Sequence, residues 1–188
     1  MRKRGGPVGT TLAVSIALAL TACVPSPHTV TPTPEATATP VFASDAQALA
    51  AAKAAYEGYL AASDQIGNDG GRDPERISKW VTKAWLPHEL KSFSDFGKSG
   101  NRLSGRTTYT YFVLERRTQL ALNDYEIDTY ICVDISESRL RNRAGRDVTP
   151  ASREDMIPVE AEFLTTNPGQ GQLLFGGSRP WPGTNFCS

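Results

Sequence analysis

Cysteine and histidine are both scarce in this chain, with three Cys and two His among 188 residues. No Cys-x-x-Cys and no His-x-x-x-His occurs, so no zinc-ligand spacing is present. His28 falls in a proline-rich stretch. His88 belongs to a helix start, Pro87-His88-Glu89, where an exposed first-turn residue is expected rather than a base or a ligand. A Gly-rich phosphate loop and a Gly-x-Ser-x-Gly elbow are also missing, which removes P-loop nucleotide hydrolysis and the serine-hydrolase arrangement. Charge is balanced at 20 basic and 20 acidic residues, so no basic surplus exists to bind nucleic acid. No apolar run reaches the roughly 20 residues that a membrane-spanning helix needs.

What is present begins with a cationic start, Arg2, Lys3 and Arg4, followed by the apolar run LAVSIALAL of residues 12 to 20. A short positive segment and an oily stretch of about a dozen residues have the layout of a bacterial export signal. Leu20-Thr21-Ala22-Cys23 then closes it, and this tetrapeptide resembles the lipobox of bacterial lipoproteins in all four positions. The resemblance implies that residues 1 to 22 are a signal peptide and that Cys23 receives a diacylglyceryl group. Two acyl chains hold a protein stably on a membrane where one does so only marginally. A chain that starts at Cys23 has 17 basic residues against 20 acidic ones, a net of −3.

Residues 24 to 43, VPSPHTVTPTPEATATPVFA, contain five prolines, five threonines and one charge, Glu35. They are too poor in apolar surface to order themselves, and together with Cys23 they read as a tether. At about 3.1 Å per residue such a stretch reaches up to roughly 60 Å. Residues 44 to 188 then have the size of a single domain.

Within that domain Ser44 and Gln47 form a capping box, and Leu49, Ala52, Tyr56, Tyr59 and Leu60 recur at helical spacing, predicting a helix over 45 to 66 that stops at Gly67. Asp73 and Pro74 open a second helix with the stripe Ile77, Trp80, Val81 and Ala84. Pro87 opens a third, with Leu90, Phe93 and Phe96 inside and Gly97 as its stop. Beyond Gly100 the period becomes two, in RTTYTYFVLERR, DYEIDTYICVDIS, IPVEAEFLTT and GQLLFGG, while SRLRNRAGRDV predicts a hairpin turning near Ala144-Gly145. Helices followed by an antiparallel meander give an α+β fold.

The element order, with AAYEGYLAASDQI followed by DPERISKWVT, resembles the nuclear-transport-factor-2-like group, which implies three N-terminal helices packed on a curved antiparallel sheet in a cystatin-like cone. That group includes ketosteroid-isomerase-like and cyclase-like enzymes as well as non-catalytic lipoprotein domains, so function has to be argued from a site. Strand phase puts Tyr125, Ile127, Thr129, Ile131, Val133 and Ile135 on the helix side, and Ile157, Val159, Ala161 and Phe163 with them. Glu126, Asp128, Tyr130, Cys132, Asp134, Glu160 and Glu162 face away. Proton transfer of the isomerase kind needs an inward carboxylate, and the strands offer none. Asp64 is the nearest substitute, though a solvated helix residue is the simpler reading.

Cys132 and Cys187 remain as an even pair and are expected to form a disulfide, drawing Trp181 and Phe186 across the outer sheet face over Tyr130. Arg139, Arg141, Arg143 and Arg146 form a basic array for an anionic envelope polymer or lipid headgroups, or else an edge strand kept soluble by charge. Trp80, Trp85, Phe93 and Phe96 are read as core. The expectation is a membrane-held extracytoplasmic lipoprotein serving as a binding or assembly module of the cell envelope, with an envelope protein or anionic polymer as partner. No catalytic residue, cofactor or metal is expected. The alternative is an isomerase-like or cyclase-like enzyme working in a cavity between sheet and helices. A Cys23→Ser chain is expected to leave the membrane fraction for the soluble one when cells are fractionated, whereas the parent stays with membranes.

Overall fold

The computed structural model describes residues 41–166 and 170–187. Helix α1, Asp45–Asn68, opens on the capping box: the Ser44 hydroxyl accepts the Gln47 N–H at 3.3 Å, while the Gln47 side chain accepts the Ala43 N–H at 2.8 Å. Both bonds satisfy donors that a helix start leaves free. Ala48, Ala52, Tyr56 and Leu60 form its buried stripe. The helix runs through Gly67, which is itself buried against Leu103, and ends at Asn68.

The second predicted helix is only a 3-10 turn, Pro74–Lys79. Tertiary pairing ends it. The Phe175 N–H donates to the Trp80 carbonyl and the Thr82 N–H to the Phe175 carbonyl, both at 2.9 Å, so the backbone past Lys79 serves a strand instead of a helix. Ala84 is consequently exposed rather than part of an inward stripe. Asp73 precedes the turn in a left-handed conformation (φ 49°), and its carbonyl, not its side chain, accepts from Arg76. Helix α2, Leu86–Ser99, passes through Gly97 and stops at Gly100, where φ is 70°. Glycine takes that left-handed stop at no steric cost.

Six strands follow: β1 Arg102–Ser104, β2 Thr108–Ala121, β3 Asp124–Asp134, β4 Arg139–Arg141, β5 Met156–Thr165 and β6 Leu173–Pro180. β2-β3-β5-β6 make an open antiparallel sheet in that spatial order, and β1 pairs with β4 in a separate ribbon. The predicted hairpin of residues 138 to 148 does turn at Asn142–Gly145, but its return arm is reduced to the bridge Arg141–Asp147. The Val148 N–H still donates to the Leu140 carbonyl at 2.8 Å, and on its other side β4 pairs with β1, with Leu103 opposite Leu140. The fold is thus α+β, helices first and antiparallel sheet after.

β3 and β5 keep the predicted phase: Tyr125, Ile127, Thr129, Ile131, Val159, Ala161 and Phe163 are buried beneath α1. β2 does not. A bulge at Thr110 separates Tyr109 from Tyr111, so Tyr109 turns inward to Tyr56 while Tyr111, paired with Cys132, turns outward. Trp85 and Phe93 pack against the core as expected. The core also reaches back into the stretch read as tether, because Phe42 is buried edge-on to Tyr125 at 5.4 Å.

Gly58, in the middle of α1, lies under the ring of Trp80, which an added Cβ would overlap. In an open helix Gly→Ala stabilises by about 1 kcal/mol. Here Gly58→Ala is expected to lower stability instead, by about 1–3 kcal/mol as overpacking does, read as a reduced midpoint in thermal or urea unfolding.

Candidate functional site

The face of the sheet toward α1 is where a ligand cavity would lie in an isomerase-like protein, and aromatic rings occupy it. Tyr56 contacts Tyr59, Tyr109, Phe112, Phe163 and Phe175, with ring centroids 5.8–6.1 Å apart, and Tyr59 stacks on Phe175 at 4.2 Å. No carboxylate enters from the sheet, in keeping with the strand phase. One does enter from α2. Glu89 is only 6% exposed, and its Oε1 accepts from the Trp85 indole at 2.7 Å and from the Tyr59 hydroxyl at 3.1 Å. Among the described residues it has no ion-pair partner. Two donors and its place in the first turn of α2, where the helix dipole is positive, hold it instead. Burial and the Glu89 charge together push the Tyr56 and Tyr59 hydroxyls well above the usual phenol range.

Sequence reasoning passed over Glu89, although a signal was there: Leu86, Leu90 and Phe93 mark the inward stripe of α2, and Glu89 sits on it three residues after Leu86. A charge on an apolar helix face needs a partner, and Tyr59 and Trp85 are the partners. His88 is exposed beside it, stacked on the Trp85 ring at 4.2 Å. Asp64 is not the solvated residue expected. It is half-buried and accepts the Thr107 N–H at 2.7 Å and the Thr107 hydroxyl at 2.9 Å, tying the end of α1 to the start of β2. Burial raises its pKa, and the two Thr107 bonds pull the other way. With Glu57, Leu60 and Tyr109 it lines a groove of about 400 Å³ between α1 and β2.

The outer sheet face carries the other carboxylates. Glu126 and Asp128 of β3 and Glu162 of β5 bring oxygens within 4.8 Å of one another, in a groove of about 420 Å³ that Glu115, Glu160, Arg116 and Arg179 also line. Oxygen donors of this kind suit a hard cation such as Ca²⁺. Arg116, however, already reaches Asp128 at 2.6 Å and Glu126 at 3.8 Å, and Arg179 pairs with Glu160. Partial burial, then the charges of Glu126 and Asp128, raise the Glu162 pKa. Gly176 leaves room for the Glu162 carboxylate. Gly177, at φ 141°, lets the Trp85 ring approach where a Cβ would sit 2.8 Å from it.

Next to this groove Cys132 and Cys187 meet as a disulfide-compatible pair, with Cα atoms 5.4 Å apart. The tail lies over the sheet as anticipated: Trp181 meets Tyr130 edge-on at 5.1 Å, and Phe186 lies against Tyr130 and Tyr111.

The four arginines do not form one array. Arg139 donates to the Ser136 and Ser138 carbonyls, and Arg141 to the Ser104 hydroxyl and the Gly145 carbonyl, so both are spent on the loop that carries them. Arg143 and Arg146 are exposed. Arg153, unremarked in the sequence, holds the same loop through the Ser138 and Ile135 carbonyls and Asp155. Cys23 and the signal segment lie outside the described residues, as does His28.

No family model matches the chain, and no curated protein matches it in sequence. Among solved structures it is similar to the intermembrane space region of the chloroplast protein ARC6, at 7% identity over 70% of this chain and 95% of that one, with a TM-score of 0.50. It is also similar to a periplasmic fragment of TraM, at 14% identity over 74% of this chain and 100% of that one, with a TM-score of 0.48. At 7% identity the likeness to the ARC6 region speaks to architecture and not to chemistry. Among the described residues no helix is long and apolar enough to cross a membrane.

Glu89→Ala strands two donors and is expected to cost about 1–3 kcal/mol in urea unfolding. Glu89→Gln keeps an acceptor for both and should stay within about 1 kcal/mol of the parent.

Proposed function

We propose that this chain is a lipid-anchored, extracytoplasmic protein whose α+β domain works as a non-catalytic binding or assembly module of the cell envelope. One observation supports the non-catalytic half of the reading: the interval between the middle of α1 and the sheet is filled by the rings around Tyr56, and in the groove beside it Asp64 is already bonded to Thr107. A reaction needs room for its substrate beside its base. The membrane half rests on sequence, on the export-signal layout and the Leu20-Thr21-Ala22-Cys23 box. We assign the domain to the nuclear-transport-factor-2-like group on its order of helices and meander. An envelope protein or an anionic polymer is the partner class. For an anionic polymer, Arg143 and Arg146 are the two of the four arginines that are exposed.

A small-molecule isomerase or cyclase is the second reading, and the observation on its side is Glu89, a buried carboxylate at a tyrosine hydroxyl. Its Oε1 is already engaged by Tyr59 and Trp85, which suits a structural tie between α1 and α2 better than a base waiting for a substrate.

Photo-crosslinking from exposed positions of the full chain in intact cells is expected to trap one envelope component at a consistent face, and the same component with Glu89→Gln. Capture of no consistent component, together with an activity of the parent on a panel of cyclic ketones that Glu89→Gln abolishes, would instead establish the enzyme.

A further inference from the structure

The tip of the β2–β3 hairpin carries two leucines that the fold does not use. Leu120 is 54% exposed and Leu122 64%, and neither belongs to the core. The turn itself does not ask for them. Asn123 supplies the left-handed residue (φ 59°) that closes it, and turns of this kind favour small polar side chains. Leu120 lies in the irregular register between Gln119 and Ala121, so both leucines project at the same end of the hairpin. Single exposed apolar residues are ordinary, whereas a neighbouring pair on a loop tip asks for an occupant.

The path of the chain identifies that occupant. The Val41 N–H donates to the Asn123 side chain at 3.2 Å, the Phe42 ring is packed on Tyr125, and the Phe42 carbonyl accepts from Arg117, which also pairs with Asp45 at 2.8 Å. Val41 and Phe42 are therefore clamped to the hairpin end of the domain. The β1–β4 ribbon with Arg143 and Arg146 belongs to the other end, since β3 leads to it from Asp134, opposite Thr108, while the hairpin closes at Ala121 and Asp124. Val41 lies 18 residues after Cys23.

We infer that Leu120 and Leu122 form a second, apolar contact with the lipid bilayer, so that the hairpin tip rests in the membrane surface and the β1–β4 ribbon points away from it. This rests on the reading of Cys23 as the lipid anchor. A tether raises the effective concentration of the tip at the membrane, so a contact too weak to recruit the protein alone is enough to orient it. Stable attachment built from two partial signals is the usual pattern for proteins that lie on membranes without spanning them. With a net charge of −3 after Cys23, the contact is apolar rather than electrostatic, and neutral lipid suffices.

The test uses the mature, acylated full-length chain in phosphatidylcholine vesicles with brominated acyl chains. Three proteins are compared: the parent, Leu122→Trp, and Val148→Trp, whose site is also exposed (42%) but lies beside β4. The native tryptophans contribute equally to all three. A ring seated roughly 5–10 Å into the headgroup boundary should make the Leu122→Trp emission at least about twofold more quenched than that of Val148→Trp, and adding Leu120→Asp should remove the difference. Equal quenching at the two sites in a chain that floats with vesicles overturns the inference and leaves the anchor standing. A parent chain that does not float, and whose intact mass shows no acyl groups, overturns both.

Discussion

Tyr56 is the contact on which the two layers depend. Its ring comes from the middle of α1 and meets rings from β2, β5 and β6. Edge-on and tilted aromatic contacts of this kind bury large areas and fix relative orientation as well as distance. Because several of these rings meet one side chain of α1, the helix cannot slide or tilt without breaking several ring contacts together. The same rings fill the interval between the middle of α1 and the sheet.

Charge is distributed around that packing with a clear division. The sheet's own carboxylates lie on the outer face, where Arg116 and Arg179 neutralise part of them and solvent the rest. Glu89, the buried carboxylate among the described residues, arrives from a helix start and is held by neutral donors. A buried charge with no cation depends on hydrogen bonds and dipoles. Glu89 has both. It therefore joins α2 to α1 as a polar rivet within an otherwise apolar and aromatic layer.

The domain also has two unlike ends. Near Asn123, chain entry, hairpin tip and the start of α1 are bound together by Asn123, Arg117 and Asp45. Near Gly145 the loop between β3 and β5 is held by arginines that donate to main-chain carbonyls, a use of guanidinium that a count of positive charges does not reveal. The likeness to the ARC6 intermembrane space region concerns the fold alone.

Much of the architecture was legible in order and period alone: the capping box at Ser44, the alternation in β3 and β5, and the choice of α+β. Local signals decided these because each depends on neighbours within a few residues or on a strict period of two. Only the tertiary structure decided the rest. The second helix gave way because β6 claimed the backbone of Trp80 and Thr82, the phase of β2 changed at a bulge, and β4 gained β1 as a second neighbour beside its own hairpin. Long-range pairing competes with local preference on nearly equal terms, and no window of sequence contains both competitors. Glu89 and the clamp on Val41 belong to the same class, since the meaning of each lies in partners 30 and 82 residues away.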